Sequence, residues 1–158
     1  MKRLLLLLLL SSCQRHGHWH HQNIPAKEID HCSRLLYRSE DPIGGIDLEW
    51  LQTKETLTTY LQVHFGSIHA SDESGPKAKV IFSTSEKTVS FLIDFHEGEQ
   101  RLRLLPAQQT ALLTLLEEGQ PVTIDLEGFH ETIDPSAFAP FLKKLKTPPY
   151  KLPFHLPI

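Results

Sequence analysis

Between residues 46 and 104 apolar side chains return at every second position, and no other feature limits the fold as much. Ile46, Leu48 and Trp50 alternate with Asp47 and Glu49, the pattern of a strand with one buried face and one acidic face in water. Leu57, Thr59, Leu61, Val63 and Phe65 repeat it in a longer strand that ends at Gly66. Val80 and Phe82 mark a third strand, Val89, Phe91, Ile93 and Phe95 a fourth, and Leu102 and Leu104 a fifth. Short polar turns at residues 53–55, 84–87 and 97–99 join several of them, which predicts an antiparallel meander.

The period changes after Pro106. Ala107, Ala111, Leu112, Leu115 and Leu116 form a helical stripe that Gly119 and Pro121 terminate, because glycine suits the left-handed cap and proline cannot continue a helix. Val122, Ile124 and Leu126 give a sixth strand, and Asp134-Pro135 and Pro140 head short helical turns, the second carrying Phe141, Leu142 and Leu145. The predicted fold is α+β, an antiparallel β-meander of about five to six strands with one or two helices packed on one face. A flexible N-terminal tether precedes it. The expected divisions are residues 1–12 (leader), 13–25 (tether), 26–147 (folded domain) and 148–158 (C-terminal strip).

The leader has a basic start at Lys2 and Arg3, seven leucines from Leu4 to Leu10, and a close in Ser11-Ser12-Cys13. This is the order of a signal peptide, and seven leucines are too few for a span that needs about 20 apolar residues. Leu10-Ser11-Ser12-Cys13 resembles the lipobox of bacterial lipoproteins, and the resemblance covers the leader only. It implies that Cys13 becomes the acylated first residue of the mature chain, carrying three acyl chains where two already anchor stably. Gln14 follows in place of the aspartate that signals inner-membrane retention in that class, which favours the outer membrane. An ordinary secretory leader and a buried leucine helix are the competing explanations. Removing residues 1–12 takes away two basic residues and no acid, so the net charge moves from −3 to −5. Such a chain lacks the polybasic patch that binds anionic lipid or nucleic acid. The membrane, reached through Cys13, is the expected partner, with a second envelope protein beside it.

Gln14 to Pro25 holds four of the ten histidines and almost no aliphatic residues. His16, His18, His20 and His21 would chelate zinc or copper through neutral imidazoles. The competing explanation, favoured here, is a polar spacer, with Trp19 resting at headgroup level. Ile29, Cys32, Leu36 and Tyr37 then fall at helical spacing behind Pro25, which predicts a short amphipathic helix over 26–37. Once Cys13 is acylated, Cys32 has no intrachain partner. It is either a thiol for an intermolecular disulfide or, the favoured alternative, a small buried side chain.

In the last residues Tyr150, Leu152, Phe154, Leu156 and Ile158 take the even positions, and prolines stand at 153 and 157. As a strand this has one apolar face and one edge without all its donors. It would close the domain's own sheet, lie as a Pro-rich tail, or add to a partner's sheet, in that order of preference.

The chemistry search is mostly negative. His96-Glu97 and His130-Glu131 both lack the second histidine of a zinc-protease helix, and no phosphate loop or nucleophile elbow occurs. The pairs Asp47/Glu49 and Asp125/Glu127 are assigned to solvated sheet faces, His64 with Asp94 to the surface, and Gly44-Gly45 to a flexible lead-in. The expected function is therefore a non-enzymatic, lipid-anchored envelope protein that binds another protein, without a cofactor. Tyr150, Leu152, Phe154 and Leu156 are its candidate contacts. The alternative is a metal-binding lipoprotein working through the histidine tract.

Overall fold

The computed structural model describes residues 19–24, 32–71 and 77–147. Within them run strands β1 (Trp19–Asn23), β2 (Cys32–Tyr37), β3 (Ile46–Thr53), β4 (Leu57–Val63), β5 (Lys77–Ser83), β6 (Thr88–Glu97), β7 (Arg101–Leu104), β8 (Val122–Leu126) and β9 (Phe129–Ile133). Helix α1 (Pro106–Glu117) connects β7 to β8, and a 3-10 turn at Pro135–Ala137 leads into helix α2 (Phe138–Lys146). The strands build one open sheet in the order β1-β2-β3-β4-β7-β6-β5-β8-β9. All paired neighbours among the described residues are antiparallel.

Alternation decides which side chains go inside. Ile46, Leu48 and Trp50 of β3, Leu61 and Val63 of β4, Val80 and Phe82 of β5, and Val122, Ile124 and Leu126 of β8 are all buried. Each is worth roughly 1.5–3 kcal/mol relative to exposure. Both helices pack against this sheet. Leu112, Leu115 and Leu116 of α1 and Phe138, Leu142 and Leu145 of α2 enter the same core. Helix α1 begins at Pro106 with the Leu105 amide donating 2.7 Å to Gln108 Oε1, and Gly119 follows it at φ 78°.

Several expectations need correction. Among the described residues the strands number nine rather than five or six, and they are not a simple meander. β4 pairs with β7, Leu61 opposite Leu102, so β7 and β6 both stand between it and β5. Helix α1 carries the chain past β6 and β5 to set β8 beside β5. β4 stops at Val63, and Phe65 is 68% exposed. The tether assigned to 13–25 is strand from Trp19 to Asn23, paired along β2 with Trp19 opposite Tyr37. Trp19 is buried rather than at headgroup level, its ring 5.1–5.6 Å from those of Tyr37, Trp50 and Phe138. One large anchor and a row of backbone hydrogen bonds hold a strand whose composition is otherwise polar. The helix expected over 26–37 is strand β2 from Cys32 onward, with Leu35 and Tyr37 inward at period two. The remainder of that segment, like residues 1–18 and 148–158, lies outside the described residues.

β9 follows from a turn signal that alternation alone does not reveal. Glu127 and Gly128 both have positive φ, 45° and 94°, the conformation of a tight two-residue hairpin. The strand then crosses the ends of β1, β2 and β3. The His130 amide donates 3.2 Å to the Gly44 carbonyl, Tyr37 Oη donates 2.9 Å to Glu131 Oε1, and Trp19 Nε1 donates 3.3 Å to the Asp134 carbonyl.

Candidate functional site

Two polar assemblies stand on the outward side of β2, β3 and β4, at positions that alternation leaves out of the core. The first lies where β3 begins. Asp47, only 5% exposed, projects outward between Ile46 and Leu48. Its Oδ1 accepts from the Ser39 amide at 2.9 Å and lies 2.7 Å from His64 Nε2, and its Oδ2 pairs with the Arg38 guanidinium. The other ring nitrogen, His64 Nδ1, lies 2.6 Å from the Asp41 carbonyl. A carbonyl only accepts, so Nδ1 carries a hydrogen. Nε2 faces a carboxylate oxygen, so the doubly protonated ring is the form that satisfies both contacts. Burial disfavours its charge, but the hydrogen bond and the negative charge of Asp47 overcome that and raise its pKa above 6.5.

The same assembly fixes the loop that precedes β3. Asp41 Oδ1 accepts from the Ile43 and Gly44 amides at 2.9 and 3.1 Å. These bonds, the first from Ile43, hold its carboxyl below the ordinary carboxylate range. A Cβ on Gly45 would collide with the Ser39 side chain and the Asp41 carbonyl, so this glycine is a packing requirement and not a flexible lead-in. Behind the loop, Tyr37 donates to Glu131, and burial followed by that carboxylate pushes its hydroxyl pKa well up.

The second assembly runs across the strands. Glu49 Oε1 lies 2.6 Å from Arg34 Nε, and its Oε2 accepts 2.9 Å from Arg101. The Arg101 guanidinium sits 4.0 Å from the centre of the Tyr60 ring, which in turn lies 5.2 Å from that of His96. Glu49 faces Tyr60 directly across the β3–β4 ladder. Asp47 and Glu49 thus do not form an acidic face in water. Each is neutralised by arginine, and the two belong to different assemblies. Arg34 falls in the segment whose spacing predicts a helix, and Arg38 lies one residue past it, so local pattern does not point to either. Strand β2 puts Arg34 on the outward parity, and Arg38 follows directly after its end.

The remaining expected sites are dispersed. His64 and Asp94 do not meet, Asp94 standing opposite Lys77. Asp125 Oδ1 lies 2.6 Å from His130 Nδ1, while Glu127 accepts from the Lys79 amide at 3.0 Å. Cys32 is buried, as the favoured alternative had it. His20 and His21 stand at successive positions of β1, opposite Leu36 and Leu35, and so project to opposite faces. His16, His18 and Cys13 lie outside the described residues, as do Tyr150, Leu152, Phe154 and Leu156. Among the described residues no group of three or more His, Cys, Asp or Glu side chains is placed to hold a metal ion, and no helix is long and apolar enough to cross a membrane.

Chemically, the first assembly is a clasp. Both ring nitrogens of His64 are engaged, by Asp41 and by Asp47, and tie the loop before β3 to the end of β4. No protein-family model matches the chain, and neither a curated protein nor a solved structure matches it.

Proposed function

We propose that the chain is a bacterial envelope lipoprotein, acylated at Cys13 and acting without catalysis by presenting its sheet to another envelope protein. The observation that carries this is the ordered leader of Lys2-Arg3, seven leucines and Leu10-Ser11-Ser12-Cys13. Support comes from the fate of the polar side chains. Asp47, His64 and Glu49, the best acid–base candidates near one another, hold strands and a loop together. The apolar positions Tyr150, Leu152, Phe154 and Leu156 are the proposed protein contact, and the outer membrane is the proposed location. Chelation of zinc or copper by His16, His18, His20 and His21 is the lesser proposal, since β1 directs two of the four to opposite faces.

Intact mass of the membrane-extracted protein tests the proposal. A triacylated chain beginning at Cys13 is expected, and the acyl mass is expected to vanish in Cys13→Ser. An unmodified chain beginning at Met1 would overturn the anchor.

A further inference from the structure

The exit point of the N-terminal segment and the exposed apolar side chains occupy the same end of the sheet. Trp19 pairs with Tyr37, the last residue of β2, and Ile46 at the start of β3 pairs with Val63 at the end of β4. The connections leaving that end carry Ile43 and Phe65, which are 67% and 68% exposed. The two connections are joined, since the His64 amide donates 3.3 Å to the Gly45 carbonyl and its ring reaches the Asp41 carbonyl. The clasp thus joins the two loops that leave these large apolar side chains in water, where each forgoes the gain of burial.

We infer that this end is a membrane-contact surface, with Ile43 and Phe65 seated in the interface of the bilayer that holds the Cys13 acyl chains. The inference rests on the anchor proposed above. Six Cα-to-Cα steps separate Cys13 from Trp19 and cover at most about 22 Å. That is less than the roughly 30 Å diameter of a small domain. An anchor so short brings the Trp19 end of the sheet to the lipid and keeps the opposite end away from it. Charge agrees with apolar rather than electrostatic contact. Arg38 and His64 stand among Asp47 and Asp41, and β9 brings Glu131 against Tyr37 and the Ile46 amide, so the surface has no cationic excess to draw it to anionic lipid.

Spin labels test it on the full acylated chain in phosphatidylcholine vesicles. Ile43→Cys, Phe65→Cys and Leu105→Cys are made singly in a Cys32→Ala background. Leu105 is 56% exposed and, because Leu104 pairs with Thr59 rather than with the Val63 end of β4, lies at the far end of the sheet. The ratio of oxygen to aqueous nickel-chelate accessibility is expected to be about threefold or more higher at 43 and 65 than at 105, as for side chains a few ångströms into the interface. Adding phosphatidylglycerol is expected to leave that ratio unchanged. If mass shows Cys13 acylated and the vesicles retain the protein, yet all three labels are equally open to the chelate, the contact surface is overturned and the anchor stands. An unacylated chain overturns both.

Discussion

A histidine whose two nitrogens both meet acceptors is a charged group at a fixed place, and His64 sets the pH behaviour of its surroundings. Its pKa is raised in the folded protein, so its contribution to stability is complete below its ordinary value of 6.5 and is lost as the pH climbs through the folded value. Asp41 behaves in the opposite sense. Its carboxyl is held low, so its contribution is present above the ordinary 3.8 and disappears as the pH falls through the lower folded value. The loop 38–45 is best held between these limits. Thermal melting of the wild type is expected to decline above pH 6.5, and in His64→Gln, which bears no titrating proton, that decline is expected to flatten. His64→Ala should cost about 2 kcal/mol at pH 6, because it leaves Asp47 with fewer donors in a buried position. A variant curve parallel to the wild type would show that some other group governs the decline. The clasp itself was not legible in the sequence, where His64 and Asp47 are merely polar residues in alternating strands. Its partners come from three separate stretches of chain.

Strands with strong alternation were legible, and the ones that failed show why. β3, β5, β6 and α1 each carry several large apolar residues at the period of their own element, so local pattern and tertiary burial agree. β1 carries one. Its burial pattern has Trp19 inside and mostly polar residues after it, and its existence depends on the edge that β2 offers. β2 carries Leu35 next to Leu36, which satisfies a helical spacing as well as a strand. Only pairing decides between them. If β1 is an element and not a spacer, Trp19→Ala should destabilise the protein by about 3 kcal/mol in urea titration, the usual cost of emptying a buried aromatic site. A truly flexible tether would give no measurable change. The same logic explains β9, whose hairpin rests on Glu127 and Gly128 at positive φ rather than on an apolar run.

At the scale of the whole molecule, the class of fold was legible and the order of its strands was not. Nothing in local alternation tells β4 to pair with β7. That choice reflects which inward faces complete the core under α1 and α2. If Tyr150, Leu152, Phe154 and Leu156 meet a partner as proposed above, deleting residues 148–158 is expected to leave the melting midpoint within about 2–4 °C of the full chain. A larger loss would show that the strip belongs to the domain's own sheet instead of a partner's. The ring of Trp19, near the start, rests on that of Phe138, near the end. A chain emerging from a ribosome therefore cannot finish its core until α2 has been made, because its earliest strand lacks a principal neighbour until then. Contacts this distant in sequence slow folding. If the chain is exported as proposed above, late completion would keep it pliable while it is threaded across the membrane.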